Sequence, residues 1–82
     1  MIFDPVLVRL FLIEAFNQLE FDLLCRQHFQ DVHDRFDPEM TRGEQIQLLI
    51  DHCERFGRIP QLMAALENAR PAQYKKRFQA QV

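Results

Sequence analysis

Thr41-Arg42-Gly43-Glu44-Gln45-Ile46-Gln47-Leu48-Leu49-Ile50-Asp51-His52-Cys53-Glu54-Arg55-Phe56-Gly57-Arg58-Ile59-Pro60 contains one helix from start to stop and the opening of another. Thr41 and Glu44 form a capping box, in which hydroxyl and carboxylate each take a backbone N–H that the first helical turn leaves open. Ile46, Leu49, Ile50 and Cys53 then recur with a period of about 3.6 residues, until Gly57 supplies the left-handed residue that ends helices. Pro60 sits where the next helix opens, since a missing N–H costs nothing in a first turn. The spacing predicts helices over 41–56 and 60–69, the second with Ile59, Leu62, Met63 and Leu66 inward. At about 100° per residue, Leu48 falls opposite the inward stripe, among Glu44, Asp51 and Arg55, and is expected to be exposed.

Working outward, Asn17 and Glu20 make a second capping box, predicting a helix over 18–28 with Phe21, Leu24, Cys25 and His28 on its inner face. Asp4 followed by Pro5 opens a helix over 5–16. Val8, Phe11, Leu12, Ala15 and Phe16 form its stripe, yet Val6, Leu7, Leu10 and Ile13 cover much of the remaining circumference, more than one face of a small bundle buries. Gln30 to Met40 holds three Asp, one Glu and one Pro, turn chemistry that reads as a short acidic element, with Asp31 as the cap of a turn through Val32 and Phe36. Pro71 closes the helix before it, and Ala72 to Gln81 form a last helix with Tyr74 and Phe78 one turn apart. No stretch alternates apolar and polar residues as a half-buried strand would. The expected fold is all-α: a five- or six-helix antiparallel bundle.

The chain has 82 residues, 48% hydrophobic and 27% charged, with two Gly and four Pro. One core is all that this length supports, so residues 1–82 are expected to be a single domain. No apolar run reaches about 18 residues, which argues against a membrane span or a signal peptide, and two Cys on apolar stripes read as reduced thiols of a cytoplasmic protein. The net charge of −2 hides a division. Over 1–54 four Arg face eleven Asp and Glu, a net of −7; over 55–82 six Lys and Arg face Glu67 alone, a net of +5.

Residues that could carry chemistry read better as packing or surface. Cys25 and His28 lie three apart, but no Cys-x2-Cys pair accompanies them and adjacent His52 and Cys53 point about 100° apart, so no zinc site is expected. A Cys-His nucleophile pair lacks an implied cleft or oxyanion donor. Asp31, Asp34, Asp37 and Glu39 lack the central Gly and terminal Glu of a calcium loop. Tyr74-Lys75-Lys76-Arg77-Phe78 interleaves basic and aromatic residues as single-strand binders do, though three clustered charges support little counterion release.

Phe16-Asn17 at a helix start, Phe21 with Leu24-Cys25, Glu54-Arg55-Phe56-Gly57-Arg58-Ile59-Pro60-Gln61-Leu62, and Arg70-Pro71 together resemble the bacterial effector-associated domains of the death-like superfamily, over roughly residues 10 to 72. Phe29 to Phe36 replaces a segment that members often fill with Gly and Lys, and Leu48 stands where they usually carry a charge. The resemblance implies a six-helix death-like adaptor without catalytic residues, usually the N-terminal module of a larger protein. It also implies a protein partner: the chain itself, or a related death-like domain fused to an effector such as a peptidase, TIR domain or NTPase in bacterial immunity.

The resulting expectation is a non-enzymatic interaction module with no cofactor, metal or small-molecule substrate. Its acidic face is Asp31, Asp34, Asp51 and Glu54; its basic face is Arg58, Arg70, Lys75, Lys76 and Arg77; its exposed apolar residues are Leu48, Leu10 and Ile13. Contact of one copy's acidic face with another's basic face would give open, head-to-tail assembly. The alternative is a small helical nucleic-acid-binding domain using the basic C-terminal segment.

Overall fold

The computed structural model describes residues 4–79, which form six α-helices and a closing π-helical turn, with no strand among them. Helix α1 (Pro5–Ala15) starts on Asp4, whose carboxylate accepts from the Val6 N–H at 2.9 Å. Helix α2 (Gln18–His28) and helix α4 (Arg42–Arg55) both open with the expected capping boxes, complete in both directions: Asn17 with Glu20, and Thr41 with Glu44. Helix α4 stops in a Schellman turn. Gly57 takes φ 67° and the Arg58 N–H reaches the Cys53 carbonyl at 2.8 Å, a conformation that any residue with a Cβ would strain. Helix α5 (Ile59–Ala69) follows with Pro60 in its first turn, as expected.

Three local expectations are corrected. Helix α3 (Gln30–His33) is the short acidic element, but Asp31 does not cap it; Phe29 occupies that position and Asp31 turns to Arg58 instead. Pro71 does not only end α5: it opens helix α6 (Pro71–Tyr74), which runs into a π-helical turn over Lys75–Gln79, and the rest of the expected last helix, Ala80 and Gln81, lies outside the described residues. His28, expected inward on α2, is exposed, because the helix ends there and its backbone carbonyl is what the neighbouring segment takes.

The core is one apolar cluster. Phe11, Leu12, Phe21, Phe29, Val32, Ile46, Leu49, Ile50, Cys53, Leu62 and Leu66 are almost wholly buried, and no polar or charged residue is buried with them among the described residues. Full burial of each large side chain contributes about 1.5–3 kcal/mol relative to exposure. Helix α4 touches α1, α3 and α5, and its surroundings therefore bury more than one stripe. That is why Leu48, expected to be exposed, is partly buried against the core. At the other end of the bundle Phe11 gathers Phe16, Tyr74 and Phe78 at ring separations of 6.2, 6.4 and 5.3 Å, which anchors the C-terminal segment against α1.

Candidate interaction surface

Most of the basic residues expected on one face are spent inside the molecule. Arg58, at the N-terminal end of α5, donates from Nη1 to both oxygens of Asp31 at 3.1 and 2.9 Å and from Nη2 to the His28 carbonyl at 3.3 Å. Its guanidinium lies 4.8 Å from the centre of the Phe29 ring, within cation–π range. Arg70, at the C-terminal end of α5, donates to the Ala15 carbonyl at 3.1 Å, the Ala69 carbonyl at 2.9 Å and Glu20 Oε2 at 2.6 Å, and lies 4.6 Å from the centre of the Phe16 ring. Each arginine therefore satisfies the last carbonyl of an earlier helix, where a positive charge also suits the helix dipole. Arg77 pairs with Glu14. Asp31 and Arg58, expected on opposite faces, lie against each other.

The acids respond to these partners. The Glu20 carboxyl is held below the usual carboxylate range, first by the Asn17 N–H of its capping box and further by Arg70. Asp31 is lowered chiefly by its hydrogen bonds from Arg58. Asp34 and Glu54 are exposed with no partner among the described residues, and Asp51 accepts from Gln47 at 2.8 Å. Lys75 and Lys76 are exposed and likewise unpaired among the described residues.

Candidate ligands and nucleophiles are committed elsewhere. His33 Nε2 lies 2.8 Å from Asp22, and His52 Nε2 lies 3.0 Å from Arg58 and 3.3 Å from Asp31. Burial pushes the Cys25 thiol up to about 12 and the Cys53 thiol up to about 11, so both are neutral thiols near pH 7, poor as nucleophiles or ligands. No group of three or more metal-ligating side chains occurs among the described residues. A groove of ≈ 420 Å³ between α1 and the C-terminal segment has Phe11 and Ala15 for its apolar part, with Glu14, Gln73, Lys76 and Arg77 around them, and no Ser, Thr, Cys or His lines it.

The apolar surface is wider than the sequence reading named. Leu10 and Ile13 are exposed, and Val6 stands with them on α1 at spacings of four and three. Leu19 and Leu23 on α2 and Phe56 after α4 are exposed as well. Leu19 and Leu23 were legible, since both fall opposite the Phe21, Leu24 and Cys25 stripe on a helical wheel. Phe56 was not, because whether it turns inward depends on the Schellman turn that immediately follows it.

Fold and surface together define a small all-α bundle whose polar side chains join its own helices and whose outward peculiarity is a set of aliphatic side chains. No helix among the described residues is long and apolar enough to cross a membrane. The chain belongs to the effector-associated domain 7 family, whose model it matches over residues 7–71. That membership gives it a role of interaction or regulation beside effectors, in a family of small helical non-catalytic modules. No curated protein and no solved structure matches the chain significantly.

Proposed function

We propose that the chain is a non-enzymatic adaptor domain, the N-terminal module of a larger protein, that brings effectors of bacterial immunity together by binding a second copy of itself or a related domain fused to a peptidase, TIR domain or NTPase. The observation that carries this reading is the exposed aliphatic surface of Val6, Leu10 and Ile13 on a chain whose family is named for its association with effectors. Soluble domains seldom leave such a helix face uncovered without a partner. Charge takes a narrower part than a whole basic face. Arg58, Arg70 and Arg77 serve the fold, which leaves Lys75 and Lys76 to meet acidic partner surfaces and Asp34, Asp51 and Glu54 to meet basic ones.

The test is calorimetric titration of the purified chain with a purified effector-fused relative, beside a titration with a single-stranded oligonucleotide. Saturable binding to the relative, weakened by Leu10→Glu, supports the adaptor. Binding to the oligonucleotide alone, falling steeply with salt, replaces it with a nucleic-acid-binding domain.

A further inference from the structure

Val8, Phe11, Leu12 and Ala15 turn α1 toward the core. At about 100° per residue, the direction opposite them falls among Val6, Leu10 and Ile13. These are 63%, 40% and 44% exposed, at the centre of a face where a surface helix ordinarily carries its charges. The charges are displaced to the flanks, Arg9 on one side and Glu14 on the other, and both are exposed.

We propose that this face binds the same face of a second copy, the two α1 helices lying parallel across a two-fold axis. The proposal rests on the reading of the chain as an interaction module and names its partner and geometry. Val6, Leu10 and Ile13 have the spacing of a coiled-coil seam, with Leu10 at position a and Val6 and Ile13 at d; Arg9 is then g and Glu14 is e. In a parallel pair the axis runs along the helices and sets the g flank of one copy beside the e flank of the other. Arg9 of one protomer thus faces the partner's Glu14, five residues on, and the contact occurs twice. In an antiparallel pair the axis crosses the helices and each flank stays on its own side, which brings Arg9 toward the partner's Arg9. The charge pattern therefore selects the parallel arrangement. Arg77 takes Oε2 of Glu14 and leaves Oε1 open for the incoming guanidinium, and Arg9 has no partner among the described residues.

Three aliphatic side chains per copy bury far less than the roughly 1,200–2,000 Å² of a stable interface, so the dimer is weak, and it gains strength only where several copies are already gathered. It is measured by dilution from about 1 mM at low salt, with sedimentation equilibrium and amide NMR shifts as readouts. The expected result is concentration-dependent association with shifts centred on Val6, Leu10 and Ile13. Leu10→Glu abolishes it. Arg9→Glu sets two carboxylates against each other on both sides and weakens it by about fivefold or more, and Arg9→Glu combined with Glu14→Arg restores it. All three positions are exposed, and unchanged circular dichroism confirms that each variant is folded. A chain that is monomeric at about 1 mM, or a dimer indifferent to Arg9→Glu, overturns the proposal. Either result leaves binding to an effector-fused relative intact, whereas a dimer that behaves as described in a chain that binds no such relative supports this proposal and confines the adaptor reading to self-association.

Discussion

At the start of α5 a guanidinium lies over one phenylalanine ring and binds the last carbonyl of α2; at its end another lies over a second ring and binds the last carbonyl of α1. The device is the same and the supports differ. At the Arg58 end, Gln61 donates to the same His28 carbonyl at 3.0 Å, and the paired acid, Asp31, is 58% exposed on a four-residue helix and shared with His52. At the Arg70 end no second donor to the Ala15 carbonyl occurs among the described residues. The acid there, Glu20, uses one oxygen to close the capping box of α2 and the other to hold Arg70. One corner is backed up and the other is shared by the ends of three helices. The Arg70 corner is therefore the one on which the bundle depends more heavily.

The core sets the scale for that comparison. Leu49→Ala removes a fully buried side chain from α4, which touches both α1 and α5, and is expected to cost about 2–5 kcal/mol through lost transfer energy and a cavity. Chemical denaturation measures it; a midpoint close to the parent's would mean that α4 does not hold the two corners together. Next come the corners themselves. Arg70→Ala is expected to destabilise by about 2–3 kcal/mol, since a charged hydrogen bond to a carboxylate and one to an otherwise unserved carbonyl are lost. Arg58→Ala is expected to cost about 1–2 kcal/mol, because Gln61 keeps the α2 carbonyl satisfied. The reverse order in paired melts breaks the comparison.

Titration of the two acids sharpens it. Both carboxyls are lowered by folding, so the stability they contribute is present above their unfolded values of 4.5 for Glu20 and 3.8 for Asp31, and is lost as pH falls through the lower folded values. Their leading causes differ. Removing Arg58 takes away the main cause of the Asp31 shift, while removing Arg70 leaves Glu20 with the Asn17 N–H that lowers it most. Carboxyl NMR titration should therefore return Asp31 most of the way to its unfolded value in Arg58→Ala and Glu20 only part of the way in Arg70→Ala. Equal recovery in both would mean that the capping box is weaker than its geometry implies.

How much of this was legible depends on sequence distance. The capping boxes, the Asp4-Pro5 start and the Gly57 stop are local signals, three or four residues wide, and they placed α1, α2, α4 and α5 with near-correct ends. Arg58 with Asp31 spans 27 residues and Arg70 with Glu20 spans 50, and no periodicity reports which distant charges meet. Counting charges along the chain thus made a basic face out of arginines that tie helices together. Leu48 failed for a related reason: a helical wheel assumes one buried side, and α4 has neighbours on several. The shift to π-helical spacing at Lys75 has no signal in the residues that form it, since Tyr74 and Phe78 satisfy ordinary helical spacing equally well.

The smallest expected effect on stability separates the arginines from the lysines beside them. Lys75 and Lys76 are exposed and touch no acid among the described residues, so reversing both to Glu should move the midpoint by no more than about 0.5 kcal/mol. Arg77→Glu, one position on, replaces an ion pair to Glu14 with a repulsion and should cost about 0.2–1 kcal/mol, a partly exposed pair being worth little. The difference is small but its sign is fixed by geometry, and it is sharpened by salt: screening should erase the Arg77 effect and leave the lysine variant where it was. If the lysine reversal destabilises as much as Arg77→Glu, then Lys75 and Lys76 also serve the fold. The positive charge of residues 55–82 would in that case be internal except at Arg55, which is exposed and would alone be left to meet an acidic partner.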